Sequence, residues 1–187
     1  MDTELARILK LPAIEAAPLL IGAELTVRGV GGRLVEVEAY DDRDPASHCY
    51  GGPRGQNLPM FLPGGHIYVY RSYGVHWCMN LVTGPEGVGE AVLLRGLEPT
   101  LGIKQMRERR EGVPDTKLAY GPGNLTKALG VTILENRQSL GGDVQLRIAP
   151  PNTKVVEARR VGITVAIDAK RRFFEEGNRY VTHRSRM

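Results

Sequence analysis

The sequence contains little cysteine, because Cys49 and Cys78 are the only two among its 187 residues. Two cysteines are too few for a disulfide scaffold or for a zinc site built from cysteine alone. Each lies beside an aromatic residue, which favours buried, reduced thiols. The histidines also fall outside zinc-ligand spacing with the cysteines: His48, His66, His76 and His183. We therefore expect no metal and no organic cofactor.

A long apolar run is absent as well. The stretch around residues 19–21 is far too short to span a bilayer. The N-terminus begins with Met1-Asp2 and lacks the charged and apolar regions of a secretory signal. We expect an intracellular protein with no membrane association.

Neither sign of charge dominates the chain. It has 25 basic and 21 acidic residues, for a net charge of +4. A mild basic excess permits a polyanionic partner without establishing one. The hydrophobic content of 42% and the charged content of 25% exclude a disordered chain. The length predicts one domain over residues 1–187, and 12 prolines with 23 glycines favour strands and loops over a helix bundle.

Hydrophobic periodicity predicts a mixed architecture. Helical spacing occurs over residues 3–10, 13–22, 101–111 and 125–129. Period-two alternation starts at Glu24 and predicts further strands over 67–71, 75–82, 91–97, 144–148 and 161–167. A final basic stretch starts at Lys170. We predict an α+β fold, with a curved, mostly antiparallel sheet, flanking helices and a protruding β-hairpin.

Two charged side chains interrupt apolar strands. Alternation along residues 34–40 places Leu34, Glu36, Glu38 and Tyr40 on one face and the intervening residues on the other. Arg95 directly follows the apolar run 91–94, where a buried charge needs a partner. A Glu38–Arg95 pair in a cleft predicts a carboxylate held ionised and in position. The alternative is that both side chains face solvent.

Aromatic residues surround the predicted hairpin. Tyr68 and Tyr70 share one face of a strand, and Tyr73 lies near the hairpin tip. Strand tyrosines commonly serve as core packing, but an aromatic residue at an exposed tip is harder to explain in that way. Proteins that kink DNA insert such a wedge between base steps, and enzymes that act on a base hold it between aromatic faces.

These residues and several further blocks closely resemble the alkyladenine (3-methyladenine) DNA glycosylase family, in its bacterial type. The blocks occur in order along nearly the whole chain, at residues 35–40, 46–48, 60–61, 65–80, 93–99, 121–130 and 160–163. The resemblance implies a cytoplasmic, nucleoid-associated monomer. Its implied partner is double-stranded DNA containing damaged purines, and its implied activity is hydrolysis of the N-glycosidic bond that leaves an abasic site.

The resemblance implies roles in catalysis and intercalation. Glu38 matches the family's general base. Arg95 and the main-chain carbonyl of Val161 match the groups that hold the attacking water. Tyr73 matches the residue that fills the gap left in the duplex. No lysine takes the place of Glu38, so we expect hydrolysis without a Schiff base or strand cleavage.

The resemblance also implies a base pocket. Tyr40, His48 and Tyr70 match the walls that enclose the flipped base, and Tyr68 matches a neighbouring tyrosine. Asn80 matches the residue that crowds the purine 2-amino position and disfavours guanine. Faces of tyrosine rings favour a cationic, alkylated base by about 0.5–2 kcal/mol.

Contacts with the DNA backbone are expected at Arg54, Gly123, Asn124 and Lys127. The family's usual Arg-Asn pair reads Gln56-Asn57 here, with Arg54 displaced by two positions, and Asn124 stands where the family favours lysine. A helix start after Gly-Pro-Gly offers main-chain N–H groups to a phosphate, although the motif alone is usually a turn. Further candidate phosphate contacts are Lys104, Arg107, Arg109, Arg110, Lys170, Arg171 and Arg172, for which a solvated basic face is the alternative.

Two other functions remain open from the residues. An architectural or damage-sensing protein would kink DNA with Tyr73 and perform no chemistry. A small-molecule glycoside or nucleoside hydrolase would use Glu38 without a duplex. The basic charge and the tip tyrosine oppose the second reading, and the paired Glu38 and Arg95 oppose the first.

Overall fold

The computed structural model describes residues 2–182. Its helices are α1 (Thr3–Ile8), α2 (Ala13–Leu19), α3 (Ile103–Arg109) and α4 (Pro122–Leu129). Its strands are β1 (Glu24–Val27), β2 (Val30–Asp41), β3 (Ile67–Ser72), β4 (His76–Val82), β5 (Glu90–Leu101), β6 (Val144–Arg147), β7 (Val155–Arg159) and β8 (Lys170–Glu175). Short 3-10 helices cover Gly55–Phe61, Asp115–Lys117 and Ile133–Glu135.

The strands form a single eight-stranded sheet with antiparallel pairing throughout the described chain. The order β3-β4-β5-β2-β1-β6 gives the main path. The long strand β2 pairs with β5 along one edge, whereas its other edge is shared between β1 and β8. Because this edge of β2 changes its partner from β1 to β8, the sheet branches and curls. Strand β7 extends the sheet beyond β8. The predicted α+β class and curved antiparallel sheet are confirmed.

The two faces of the sheet bury different chemistry. On one face, alternate residues such as Val37, Val69 and Met79 join the main hydrophobic core, which also takes apolar side chains from the helices. On the other face, Tyr68 joins a smaller cluster with Cys49, Met60, Val82 and Ala91. Strand alternation therefore sends apolar residues toward the helices and the polar and aromatic residues of β2 to β5 toward the opposite face.

Three register shifts interrupt the pairing of β2 with β5, and two of them are β-bulges on either side of Glu36. Leu34 pairs with Leu97 and Glu36 with Gly96, so Val35 is an extra residue on β2. Val37 pairs with Leu94, so Arg95 is an extra residue on β5. The prediction that Leu34 shares a face with Glu36 is wrong, because the bulge at Val35 returns Leu34 to the main core.

The predicted strand over residues 161–167 is also wrong. The segment is a loop between β7 and β8, and it has positive φ angles of 80° at Gly162 and 49° at Ala166. Its branched apolar residues mimic a strand pattern, but left-handed backbone cannot extend a ladder. The basic stretch from Lys170 is instead a strand, β8. Asp2 caps α1 through its side chain.

The described residues set two further limits. No helix in the 2–182 range has both the length and the apolar character needed to cross a membrane. Within the same range, no group of three or more His, Cys, Asp or Glu side chains is placed to hold a metal ion. His183 lies outside the described residues.

Thr83, which directly follows β4, carries a buried hydroxyl whose effect on stability can be tested. Its side chain is fully buried, and its hydroxyl finds no hydrogen-bond partner among the residues that the structure describes. A buried, unsatisfied hydroxyl costs free energy, whereas valine has nearly the same shape without a polar atom. We expect Thr83→Val to raise the free energy of unfolding by about 1 kcal/mol, measured by urea denaturation.

Thr126 supplies the matched control. Its buried hydroxyl donates to the carbonyl oxygen of Trp77 at 2.7 Å. We expect Thr126→Val to lower the free energy of unfolding by about 1 kcal/mol. Equal losses of stability in both variants would show that the Thr83 hydroxyl is satisfied in solution.

Candidate active site

A cleft of about 980 Å³ opens on the face of the sheet opposite the main core. Its lining includes most residues that the sequence analysis selects, from several separate segments of the chain. They are Tyr40, His48, Arg54, Tyr68, Tyr70, Tyr73, Asn80, Arg95 and Val161. The cleft therefore collects candidate catalytic, pocket and hairpin residues in one basin.

Cross-strand pairing explains this convergence. Tyr68 on β3 pairs with Asn80 on β4, Asn80 pairs with Leu93 on β5, and Leu93 pairs with Glu38 on β2. Directly paired residues point to the same face of a sheet. Glu38 also pairs with Arg172 on β8. In this row across five strands, Tyr68, Asn80 and Leu93 line the cleft, and Glu38 and Arg172 continue the row behind it.

Glu38 lies immediately behind the cleft and has no solvent-exposed surface. Its Oε1 atom accepts a hydrogen bond from the main-chain N–H of Val161 at 2.8 Å. Its Oε2 atom accepts one from the Tyr40 hydroxyl at 2.9 Å and a longer one from Arg95 Nη1 at 3.4 Å. All three donors line the cleft, so the carboxylate is held directly against its wall.

Burial raises the pKa of Glu38 above its ordinary value of 4.5. Arg95, the Val161 N–H and the Tyr40 hydroxyl each favour the ionised form and oppose that rise, whereas the nearby Glu36 adds to it. Arg95 favours the ionised carboxylate, as expected of the pair, but it does not set the direction of the pKa shift. Removal from water is the larger effect.

The environment of Arg95 contains residues that sequence reasoning missed. Arg95 Nε donates to Glu36 Oε1 at 3.2 Å, and Glu36 also accepts from Arg172 Nε at 2.7 Å. Arg172 is only 1% exposed, so its expected role as a phosphate contact is wrong. Its place in a run of basic residues suggested a solvated face, and only pairing with β2 buries it.

The aromatic pocket is a group of three contacting rings. The Tyr68 and Tyr70 rings stack with centroids 5.4 Å apart, and the His48 ring lies edge-on 4.3 Å from Tyr70. His48 Nδ1 and the Tyr68 hydroxyl share a hydrogen bond of 2.9 Å. Burial lowers the pKa of His48, which favours the neutral imidazole. The three rings therefore contribute no positive charge to the pocket.

Tyr40 is supported by an ion pair that sequence reasoning assigned no role. The Arg160 guanidinium lies 4.6 Å from the centroid of the Tyr40 ring. Arg160 is buried, with Nη2 donating to Asp44 at 2.9 Å and Nη1 donating to the Ala39 carbonyl oxygen at 3.2 Å. Asp44 and Arg160 belong to two segments distant in sequence, so the pair fixes the ring across the fold.

Asn80 is buried in the floor beside Tyr68. Its Nδ2 atom donates to the main-chain oxygen of Tyr68 at 3.1 Å, which orients the amide. The thiol of Cys78 also lines the cleft, and burial raises its pKa. The thiol therefore remains protonated and unreactive at neutral pH.

Tyr73 protrudes from the tip of the β3–β4 hairpin with 90% of its surface exposed. Tyr73 and Gly74 have φ angles of 49° and 68°, and the Val75 N–H donates to Ser72 at 3.0 Å. Two positive φ angles in succession are typical of the type I′ turn that suits hairpin twist. Tyrosine is costly in the left-handed region, so strain is retained where the ring reaches solvent.

Two of the four candidate contacts with the DNA backbone, Gly123 and Asn124, lie beside this hairpin. Gly123 and Asn124 line a small groove together with Tyr73 and His76. A β-carbon at Gly123 would lie 2.8 Å from that of His76, so glycine permits α4 to approach the hairpin closely. The Asn124 amide donates to the main-chain oxygen of Tyr120, and Lys127 is exposed but lies outside the groove.

Further cleft residues were not predicted. Arg71 lines the wall on β3 and places its guanidinium 5.7 Å from the centroid of the Trp77 ring. The loop over residues 162–165 also lines the cleft, where the sequence pattern predicted a strand. Arg54, a predicted backbone contact, also lines the cleft, and its Nη2 atom donates to the Tyr50 carbonyl oxygen at 2.6 Å.

Comparisons with known proteins identify the class of this protein, which is that of the DNA glycosylases. A family model described as methylpurine-DNA glycosylase matches residues 7–179. The chain belongs to this family, so it is an enzyme that hydrolyses N-glycosyl bonds.

Curated relatives carry the name "Putative 3-methyladenine DNA glycosylase". One from Rhodopseudomonas palustris strain HaA2 is 49% identical over 172 residues, covering 90% of this chain and 84% of the relative. One from Methanoculleus marisnigri is 51% identical over 159 residues, covering 82% and 83% of the two chains. One from Nitrosospira multiformis is 44% identical over 172 residues, covering 91% and 89%.

Proposed function

We propose that this enzyme flips an alkylated purine out of duplex DNA into the aromatic cleft and hydrolyses its glycosidic bond with Glu38 as general base. The observation that carries the proposal is the fully buried Glu38 carboxylate behind the cleft, bonded to Arg95, Tyr40 and the Val161 N–H. Such a carboxylate is desolvated, fixed in direction and shielded from bulk water.

The chemistry follows from the leaving group. Alkylation at N3 or N7 makes the purine cationic, and its bond to the sugar then breaks through an oxocarbenium-like transition state. Glu38 accepts the proton of the attacking water and offsets the positive charge that develops on the sugar. Arg95 and the Val161 carbonyl oxygen hold that water. The product is an abasic site.

Selection of the base depends on the aromatic group. Tyr40, Tyr70 and a neutral His48 surround the extruded purine, and the tyrosine faces attract a cationic ring by about 0.5–2 kcal/mol. Tyr68 positions His48 through their shared hydrogen bond. Asn80 crowds the purine 2-amino position, so neutral guanine is disfavoured, whereas the cationic ring of 7-methylguanine offsets this crowding through the cation–π attraction. Deaminated purines such as hypoxanthine are neutral and lose the cation–π advantage.

Two groups of residues contact the DNA, namely the tyrosine at the hairpin tip and the residues that bind its phosphates. Tyr73 fills the space that the extruded nucleotide leaves, as expected for a hairpin wedge. Arg54, Gly123, Asn124 and Lys127 contact phosphates, where Gly123 and Asn124 use main-chain N–H groups near the start of α4. We propose that one molecule acts alone on the duplex.

Release of free base from defined duplexes tests the proposed function. Oligonucleotides carry one 3-methyladenine, 7-methylguanine, hypoxanthine or undamaged adenine, and free base is measured by chromatography. We expect release of alkylated purines and an abasic strand that remains uncut until alkali is added. Bending of lesion DNA without release of base would instead support the architectural alternative. Activity confined to free nucleosides would support the small-molecule hydrolase.

The raised pKa of Glu38 predicts a pH dependence. A base acts only when ionised, so activity falls as the pH drops through the pKa of Glu38, which lies above its ordinary 4.5. We expect the single-turnover rate on a 7-methylguanine duplex to start declining at a higher pH than an unperturbed glutamate allows. Release without enzyme is subtracted at each pH. An acid limb centred at or below 4.5 would contradict the assigned environment.

A further inference from the structure

A buried ionic cluster supports the proposed catalytic pair from behind. The Glu36 cluster is defined here as Glu36, Arg95, Arg172 and Thr182, which are at most 6% exposed. Glu36 lies at its centre and accepts four hydrogen bonds from the other members. They come from Arg95 Nε at 3.2 Å, Arg172 Nε at 2.7 Å, and the Thr182 N–H and hydroxyl, both at 2.6 Å.

Thr182 is bound to this cluster through its main chain and its side chain. Its N–H and hydroxyl both donate to Glu36, and its carbonyl oxygen accepts from Arg172 Nη2. Its hydroxyl oxygen also accepts from Arg95 Nη2 at 3.4 Å. A residue more than 80 positions from Arg95 along the chain is thereby placed against the same guanidinium.

The contacts determine which way Arg95 points. Its planar guanidinium is held at Nε by Glu36 and at Nη2 by Thr182, which leaves Nη1 directed at Glu38. The bulge at Arg95 turns the side chain to this face, and Gly96 leaves space for Glu36, whose Cβ would lie 3.1 Å from an added β-carbon. Loss of one contact frees the guanidinium to rotate.

We propose that Glu36 and Thr182 are positioning residues for base release, which hold Arg95 so that its remaining nitrogen faces Glu38 and the attacking water. This inference rests on the proposed function of Glu38. Neither residue touches the DNA or the sugar. Thr182 therefore supports the catalytic pair, although it lies outside the cleft.

Thr182→Val and Thr182→Ser test the inference directly. Valine keeps the shape and both main-chain bonds but removes the hydroxyl, whereas serine restores it. We expect Thr182→Val to lower the saturating single-turnover rate by roughly 10-fold, because misplaced catalytic groups lose rate without loss of binding. The dissociation constant for lesion DNA should stay within about 2-fold of wild type. Thr182→Ser should recover most of the rate.

Glu36→Gln provides a second variant with a different readout. It removes the negative charge that adds to the pKa of Glu38 and leaves two arginines beside a single carboxylate. We expect a rate loss of roughly 100-fold and an acid limb moved to lower pH. A residue with only a structural role would reduce the folded fraction and leave the pH profile in place.

Thr83→Val is the matched control, since it is a buried threonine variant that lies outside the cleft and the Glu36 cluster, and its rate should equal that of wild type. Equal rates for wild type and Thr182→Val, or a loss that only follows the folded fraction, would overturn the positioning role while Glu38 remains essential. Full activity of Glu38→Gln would overturn the proposed function together with this inference. The two failures are therefore distinguishable.

Discussion

Glu38→Gln should bind lesion DNA as tightly as wild type and release almost no base. The amide keeps the size of the carboxyl group but cannot accept the proton of water or offset charge on the sugar. Loss of a general base lowers rates by roughly 100-fold to 10,000-fold. Single-turnover release from a 7-methylguanine duplex measures the loss, and electrophoretic mobility of the complex measures binding.

The stability of Glu38→Gln shows whether its loss of activity comes from lost chemistry or from unfolding. A carboxyl group whose pKa is raised in the folded protein binds its proton more tightly there than in the unfolded chain. Its favourable contribution is therefore complete at low pH and is lost as the pH rises through the folded pKa. At neutral pH the neutral glutamine should leave the protein at least as stable as wild type, which thermal melting checks.

Glu157→Gln is the matched control for charge. Glu157 lies exposed on β7, outside the cleft, so the same substitution changes the net charge without touching Glu38. It should leave both binding and base release unchanged. Weakened DNA binding by Glu38→Gln, with a normal rate at saturation, would assign Glu38 to substrate recognition rather than to chemistry.

Much of the catalytic face follows from alternation along single strands. Glu36, Glu38 and Tyr40 share a face because strand side chains alternate, and Tyr68 and Tyr70 do so for the same reason. The failure at Leu34 has a specific cause. A bulge is set by which residues pair across two strands, and a single sequence records no pairing.

The convergence of distant residues could be predicted only through family resemblance. The blocks around Glu38, His48, Tyr70 and Arg95 came from four separate segments, and the structure brings them to one cleft. Local pattern gives no distance between such segments. It also misled at residues 161–167, where branched apolar residues occupy a loop with left-handed backbone at Gly162 and Ala166.

The supporting residues were missed because their burial depends on tertiary partners. Arg172 looked like surface in a basic run, and Arg160 carried no pattern of its own. Each is buried only because a distant carboxylate, Glu36 or Asp44, pairs with it. Glu36 did leave a signal, since alternation placed a second carboxylate beside Glu38 on the strand.

Tyr73→Gly should weaken base release most on fully paired duplexes. Stacking of a base on an aromatic ring contributes about 1–3 kcal/mol, which corresponds to roughly 5-fold to 150-fold in rate or affinity. The wedge is needed only where extrusion breaks good stacking and pairing. We expect the loss in kcat/KM to shrink when the same lesion lies opposite a mismatched base or in a single strand.

The backbone at the hairpin tip makes glycine the informative replacement. Tyr73 has a φ of 49° and its ring is 90% exposed, so glycine relieves strain and removes almost no buried contact. The variant should melt at or above the wild-type temperature while its activity falls, which couples the strained turn to function rather than to folding.

Tyr50→Ala controls for loss of an exposed tyrosine, because Tyr50 is 48% exposed and lies outside the cleft lining. Tyr73→Trp should retain most of the activity, since its ring can also stack between base steps. If Tyr73→Gly reduced kcat/KM by the same factor on paired, mismatched and single-stranded substrates, the ring would contribute to DNA binding and not to base extrusion. The wedge assignment would then be wrong, while the chemistry at Glu38 would be unaffected.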